Sequence, residues 1–253
     1  MKNFVKAMSR SMGLYMRLLK NIPFGVEWCQ DVKYLMGDID LELVVDVGAN
    51  IGQTVYEVIK YFPNSYIYSF EPIPTTFKQL VERTKAFPNV FHVNAALGDQ
   101  SFTSPMTAKP LAQQNTLVFD VKEAMQNDIE TDVVQVDTLD HFCTTNKINK
   151  INLLKVDTEG YEMKVLRGAE QLLSSDCIDY ILIECDFFKR RGEPHGDFVE
   201  ILNYLQNYRY NVVAFYTGGV DNLGWKWGDV LFRKMTSEQA GFTATSPFRQ
   251  HGV

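Results

Sequence analysis

Three groups of residues in this chain have types and spacings that could do chemistry. The first is Asp46-Val47-Gly48-Ala49-Asn50-Ile51-Gly52, which follows the apolar run Leu43-Val44-Val45 and leads into a helical pattern over 53–61. A short β-branched run suits a strand buried on both faces. Gly48 and Gly52 let the backbone turn tightly and approach a ligand with no Cβ in the way. A strand, a glycine turn and a helix N-terminus together form a nucleotide-type binding corner. The dinucleotide fingerprint G-x-G-x-x-G is not met, because its third glycine position, counted from Gly48, holds Gln53. What stands is D-x-G-x-N-x-G. An acid at the strand end repels a pyrophosphate and attracts an ammonium or a sulfonium. That chemistry points to S-adenosylmethionine; an ordinary strand–helix turn is the plain alternative.

The second group centres on Glu71, 25 residues after Asp46 at the end of another strand pattern. In such folds an acid ~20 residues on meets the ribose hydroxyls. A carboxylate there can accept from both hydroxyls, each charge-assisted bond contributing ~1.5–3 kcal/mol. A solvent-facing Glu before a turn is the alternative. Gly98 and Asp99, after a third strand pattern, fall where an adenine would lie. Asp99 could accept from the exocyclic amine, and a plain turn explains the pair equally.

The third group is Asp157-Thr158-Glu159-Gly160-Tyr161-Glu162 together with Glu184-Cys185-Asp186. Both segments end apolar strand patterns, so their carboxylates collect at one edge of a sheet, beside the binding corner. Gathered like charges raise one another's pKa or bind a cation. One carboxylate can serve as general base toward a substrate hydroxyl. Alternatively, two can hold a divalent metal such as Mg2+ that lowers the hydroxyl's pKa, with Asp157, Glu184 and Asp186 as candidate ligands. Glu162 is assigned instead to favouring the N-terminus of the helix that follows. His195, in the loop Arg190-Arg191-Gly192-Glu193-Pro194-His195-Gly196, is a further candidate base; a solvent-exposed histidine is the alternative. Arg190 and Arg191 could contact an anionic substrate. Trp225 and Trp227 could form an aromatic platform for a sugar or apolar acceptor, or pack in the core.

These groups need strands whose carboxyl ends meet. Further strand patterns fall at 65–70, 90–94, 133–136, 151–156, 178–183, 210–216 and 229–233, and helical patterns at 74–86, 139–146, 161–174 and 195–207. Alternating strands and helices imply an α/β fold with a parallel sheet and right-handed crossovers. The last two strands flank a glycine-rich turn and are expected to pair antiparallel at one edge. Residues 100–130 read as an irregular or hairpin insertion over the site. The expected division is an N-terminal helical extension over 1–40, one α/β domain over 41–235 and a tail over 236–253.

Composition bounds the partners. A hydrophobic content of 45% and a charged content of 22% are ordinary for a globular protein, and the net charge of −6 makes no case for nucleic acid. The four cysteines form no C-x-x-C pair and the four histidines show no metal-ligand spacing. Reduced thiols, no membrane-spanning run and no signal peptide fit a cytoplasmic protein. Residues 2–20 carry five Lys or Arg and no acid, with apolar residues at helical spacing. Such a helix could lie on a membrane surface or a partner; packing on the domain with lysines pointing outward is the alternative.

In order, DVGANIGQT, SFEPIPTTFKQL, NAALGD, VDTLD, LLKVDTEGYEMKVLRGA, LIECD and GDVLFRK closely resemble the FkbM-type methyltransferases over residues 43–233. The K-x-D-x-E-G-x-E block is the most specific element. The resemblance implies a class I methyltransferase fold: a seven-stranded, mostly parallel sheet with helices on both faces and an antiparallel last strand. It also implies transfer of a methyl group from S-adenosylmethionine to a hydroxyl oxygen, with natural-product and carbohydrate acceptors. By it, Asp46, Gly48, Ala49, Asn50, Gly52, Thr54, Glu71 and Pro72 grip the cofactor, with Gly98 and Asp99 at its adenine end. Asp157 and Glu159 then lie at the reacting end, with Glu184 and His195 as partners. A small-molecule or glycan acceptor is the expected partner. An NAD-linked oxidoreductase and a non-catalytic nucleotide-binding module are the alternatives.

Overall fold

A computed structural model of the chain describes residues 22–107, 131–187, 196–222 and 224–236. In chain order the described elements are α1 (Trp28–Met36), β1 (Leu43–Val47), α2 (Gln53–Tyr61), β2 (Tyr66–Phe70), α3 (Pro74–Thr84), β3 (Val90–Val93), β4 (Ala96–Leu97), β5 (Phe102–Thr107), β6 (Thr131–Asp137), α4 (Leu139–Asn146), β7 (Ile151–Val156), α5 (Glu162–Arg167), α6 (Glu170–Ser174), β8 (Ile178–Asp186), α7 (Phe198–Gln206), β9 (Tyr210–Asp221) and β10 (Gly224–Lys234).

Seven strands form one sheet in the order β3-β2-β1-β7-β8-β10-β9. The pairs from β3 to β8 are parallel, and β10 runs antiparallel to both β8 and β9. This is the mixed sheet that the resemblance implies. The last two strands pair antiparallel at one edge as expected, with β10 beside β8 and β9 outermost. They differ from expectation in running through the glycine-rich stretch instead of turning there. A Cβ on Gly218 would lie 2.0 Å from the Trp227 ring, so glycine leaves the space that ring occupies across the ladder.

Alternation along the strands sorts the core into two layers. Val45, Val47, Leu154, Val156, Ile181, Ile183, Val230 and Phe232 pack with Leu139, Val165, Leu166, Ile201 and Leu205 of α4, α5 and α7. Val44, Leu153, Leu182 and Leu231 pack on the other side with Trp28, Val32, Val55 and Val58 of α1 and α2. Each fully buried aliphatic side chain contributes ~1.5–3 kcal/mol, so the central strands are held firmly from both faces.

The expected helix over 161–174 is two helices. A Cβ on Gly168 would lie 1.9 Å from the Gly98 carbonyl oxygen, so the chain comes too close to the β4 turn there to stay helical. The Asp140 carboxylate then accepts from Gln171 N and Leu172 N and restarts the chain as α6. Residues 100–107 and 131–137 contribute β5 and β6, which with β4 make a three-stranded second sheet. The rest of that insertion, the basic segment 2–20, Arg190, Arg191, His195 and nearly all of the tail lie outside the described residues.

Candidate active site

The carboxyl ends of β1, β2, β7 and β8 open on a cleft of about 600 Å³. On one side is the glycine turn. Gly48 has φ +84 and Asn50 φ +49, and a Cβ on Gly48 would lie 1.8 Å from the Asp157 carbonyl oxygen. Glycine is required because the ends of β1 and β7 abut, with Asp157 N donating to Val47 O at 2.9 Å. Glu71 holds the turn: its Oε2 accepts from Asn50 N at 3.0 Å and its Oε1 from Ile73 N at 2.9 Å. Burial raises its pKa to about 7, against those two backbone bonds. Gly48, Ala49, Asn50, Thr54, Glu71 and Pro72 all line the cleft.

Four other residues expected at the cofactor lie off the cleft wall. Asp46 is one residue inside β1 and wholly buried, with the Lys155 ammonium and the Thr54 hydroxyl as the groups that favour its charge. Gly52 packs against Thr84 and Leu80. Gly98 is pressed against Val136 and Tyr161, and neither it nor Asp99 reaches the cleft, which is lined there by Ala95, Ala96 and Leu97.

Strand register explains two polar pairs beneath the cleft, two residues out of step with each other. Asp46 is level with Lys155, and Glu184 with Asp229. By alternation all four sit on the α1–α2 face, at the carboxyl-end rim of its apolar layer. Lys155, 7% exposed, donates to Asp157 Oδ2 at 2.8 Å. Burial works against its ammonium, but Asp157, Asp229 and Asp46 outweigh that and hold it charged. Asp46 is raised to about 6 by burial, opposed by Lys155. Glu184 is pushed up to about 9, first by burial and then by Asp157, Glu159 and Asp229. Like charges directly opposite one another on neighbouring strands disfavour double ionisation.

Asp157, Glu159 and Glu184 each offer an oxygen within 4.8 Å of the others. That spacing can hold a divalent cation through carboxylate oxygens. The structure thus replaces Asp186 with Glu159 in the expected ligand set; Asp186 lines the cleft but is not part of this cluster. Glu159 reaches it through a backbone at φ +52, which a non-glycine residue adopts only under constraint. The constraint is Glu162, whose role differs from the expected helix-terminus electrostatics. It is 1% exposed, and its Oε1 accepts from Thr158 N, Thr158 Oγ1 and Gly160 N, each at 3.0 Å. Trp227 lines the cleft, whereas Trp225 packs with its ring tilted against Phe187 and Phe215 and is not on the cleft wall. Sequence reasoning gave no role to Lys155 or Asp229. The available signal was a charged residue inside, or leading, an otherwise apolar strand.

Residues 46–212 match the Methyltransferase FkbM domain. A protein of Beauveria bassiana called Methyltransferase 1 is 31% identical over 75% of this chain and 79% of its own length. The chain belongs to the FkbM methyltransferase family. The hexuronic acid methyltransferase AglP of Haloferax volcanii is 26% identical over 56% of this chain and 55% of its own length. An rRNA methylase structure from Streptococcus thermophilus is 12% identical with a TM-score of 0.48, covering 85% of this chain and 100% of that one. A resemblance at that level adds nothing to what the sheet order already says. The chain is thus an S-adenosylmethionine-dependent methyltransferase, which sets aside the oxidoreductase and the non-catalytic module. The residues present fit that cofactor: a glycine turn with no Cβ and a carboxylate at the end of β2 both line the cleft. Among the described residues, no helix is long and apolar enough to cross a membrane.

Proposed function

We propose that this methyltransferase acts on a hydroxyl oxygen of a carbohydrate or glycosylated metabolite. The observation that carries the reading is the carboxylate cluster of Asp157, Glu159 and Glu184 on the cleft wall beside the glycine turn. An aliphatic hydroxyl is a poor nucleophile and must lose its proton as it attacks, which a carboxylate or a bound cation assists. Bound S-adenosylmethionine supplies an electrophilic methyl group on a cationic sulfur. Gly48, Ala49 and Asn50 position it, and Glu71 accepts from its ribose hydroxyls. Asp157, paired with the Lys155 ammonium, is the group suited to accept the proton. Glu184, raised to about 9, carries a proton at neutral pH. Should a divalent cation take part, Asp157, Glu159 and Glu184 would hold it, and it would acidify the acceptor hydroxyl.

The similarity to AglP, a hexuronic acid methyltransferase, supports a sugar acceptor, and Trp227 on the cleft wall suits stacking against a sugar ring. Acids outnumber bases on that wall, with Glu57, Glu71, Asp157, Glu159, Glu184, Asp186 and Asp229 against Lys155 and Lys226. That balance favours a glycan or small molecule over nucleic acid. The test is incubation of the full chain with methyl-labelled S-adenosylmethionine and a panel of hexose- and hexuronate-terminated oligosaccharides, alongside tRNA and rRNA. Label in a base-stable methyl ether of a sugar supports the reading; label in RNA alone overturns it.

A further inference from the structure

We infer that Glu162 is a positioning residue for methyl transfer, a single buried carboxylate that sets the geometry of the acidic cluster from both sides. The inference rests on the hydroxyl-methylation reading above. On one side, Glu162 Oε1 gathers Thr158 N, Thr158 Oγ1 and Gly160 N, all at 3.0 Å, so the loop between β7 and α5 wraps around it. Successive backbone N–H groups converging on one anion form a nest, and a nest requires left-handed backbone at some of its residues. Here those are Glu159 at φ +52 and Gly160 at φ +106. The Glu162 charge therefore stabilises the backbone that brings the Glu159 carboxylate to Asp157 and Glu184.

On the other side, Glu162 Oε2 accepts from Gly196 N at 3.0 Å, and the Gly196 carbonyl accepts from Asp186 N at 2.9 Å. Asp186 ends β8, two residues after Glu184. A Cβ on Gly196 would lie 2.8 Å from Ile201 Cδ1 and 3.2 Å from Glu162 Oε2, so this approach leaves no room for a side chain. Four hydrogen bonds to one carboxylate thus fix the end of β7 against the end of β8. These are the two strands that carry the clustered acids. Helix-terminus electrostatics would need none of these contacts.

Glu162→Gln separates the two sides. Its amide oxygen can still serve Thr158 and Gly160, but its NH₂ faces the Gly196 N–H, donor against donor. The experiment compares the full-length wild type, Glu162→Gln and Glu162→Asp. It reads S-adenosylmethionine Kd, kcat and acceptor KM with the sugar acceptor found in the panel above, together with amide hydrogen exchange. In Glu162→Gln we expect S-adenosylmethionine Kd within twofold of wild type and kcat lowered tenfold or more. Exchange at Gly196 should be at least tenfold faster, with Thr158 and Gly160 still protected. Glu162→Asp, too short to span both sides, should lose protection at one of them and lose kcat to a similar extent. Unchanged kcat in Glu162→Gln, or kcat and cofactor affinity falling together, overturns the inference. Unchanged Gly196 exchange overturns it whether or not an acceptor is known. A wild type that methylates no sugar defeats the functional reading separately.

Discussion

Substituting Gly48 by alanine tests the junction on which the site depends. The new Cβ would lie 1.8 Å from the Asp157 carbonyl oxygen, whereas ordinary contact begins at 3.4 Å. The obstacle is backbone in the central strand β7 and cannot rotate away. Either β1 or β7 must shift by more than an ångström, or the Val47–Asp157 hydrogen bond breaks. The φ of +84 adds about 1–2 kcal/mol for an L-residue. With overpacking of about 1–3 kcal/mol, the expected loss of stability is roughly 2–5 kcal/mol, or about 4–20 °C in Tm. On the proposed reading the turn holds the donor and Asp157 faces the acceptor, so a 1 Å displacement between them should lower kcat about 100-fold. Gly37→Ala is the control: its φ is +62, but nothing lies within 4 Å of the added Cβ. It should cost about 1–2 kcal/mol and leave catalysis untouched. Thermal unfolding, calorimetric titration of S-adenosylmethionine and turnover separate the two variants. If Gly48→Ala matches Gly37→Ala in all three, the abutting strand ends do not matter and the reasoning is wrong.

Other consequences concern charge. Glu71, raised to about 7, accepts from ribose hydroxyls with both oxygens only when ionised, since a protonated carboxyl turns one oxygen into a donor. S-adenosylmethionine affinity should therefore rise about tenfold from pH 6 to pH 8, and Glu71→Gln should flatten that rise in a calorimetric titration. Lys155→Met leaves Asp46, Asp157 and Asp229 without their shared cation and should cost roughly 2–4 kcal/mol in urea unfolding. Asp46 is already raised to about 6 in the folded state, so that deficit should deepen as pH climbs through 6. Glu184 is raised from 4.5 to about 9, so the folded protein holds a proton that the unfolded chain releases. Its stabilisation is complete below pH 4.5 and lost as pH rises through 9. If the cluster takes a cation, Mg2+ or Mn2+ should flatten that decline in a pH series of melting curves, and Glu184→Gln should abolish it.

Local pattern carried the parts of the fold that are locally determined. Leu43–Val47 and Ile151–Val156 are legible because strands buried on both faces must be apolar throughout. Helices 53–61 and 139–146 are legible because their periodicity and the Thr138 cap lie within a few residues. The break in 161–174 was not legible, since it is imposed by Gly98, seventy residues earlier in the chain. The glycine turn could be recognised from spacing, but why Gly48 must be glycine depends on the end of β7. Neither Lys155 nor Asp229 announced itself, because the pairs Asp46–Lys155 and Glu184–Asp229 exist only once their strands are in register. Glu162 reads as a helix-terminus acid in the sequence because its partners, Gly160 N, Gly196 N and the backbone and hydroxyl of Thr158, are groups that the sequence does not label.

The claim that Asp157 stands at the reacting end of the cleft is tested most directly by Asp157→Asn in the labelled transfer assay. Asparagine keeps the shape but cannot take the proton. The account predicts S-adenosylmethionine affinity within a few-fold of wild type and kcat lowered at least ~100-fold, in line with the loss of a general base. Turnover equal to wild type, with the donor still bound, would contradict it.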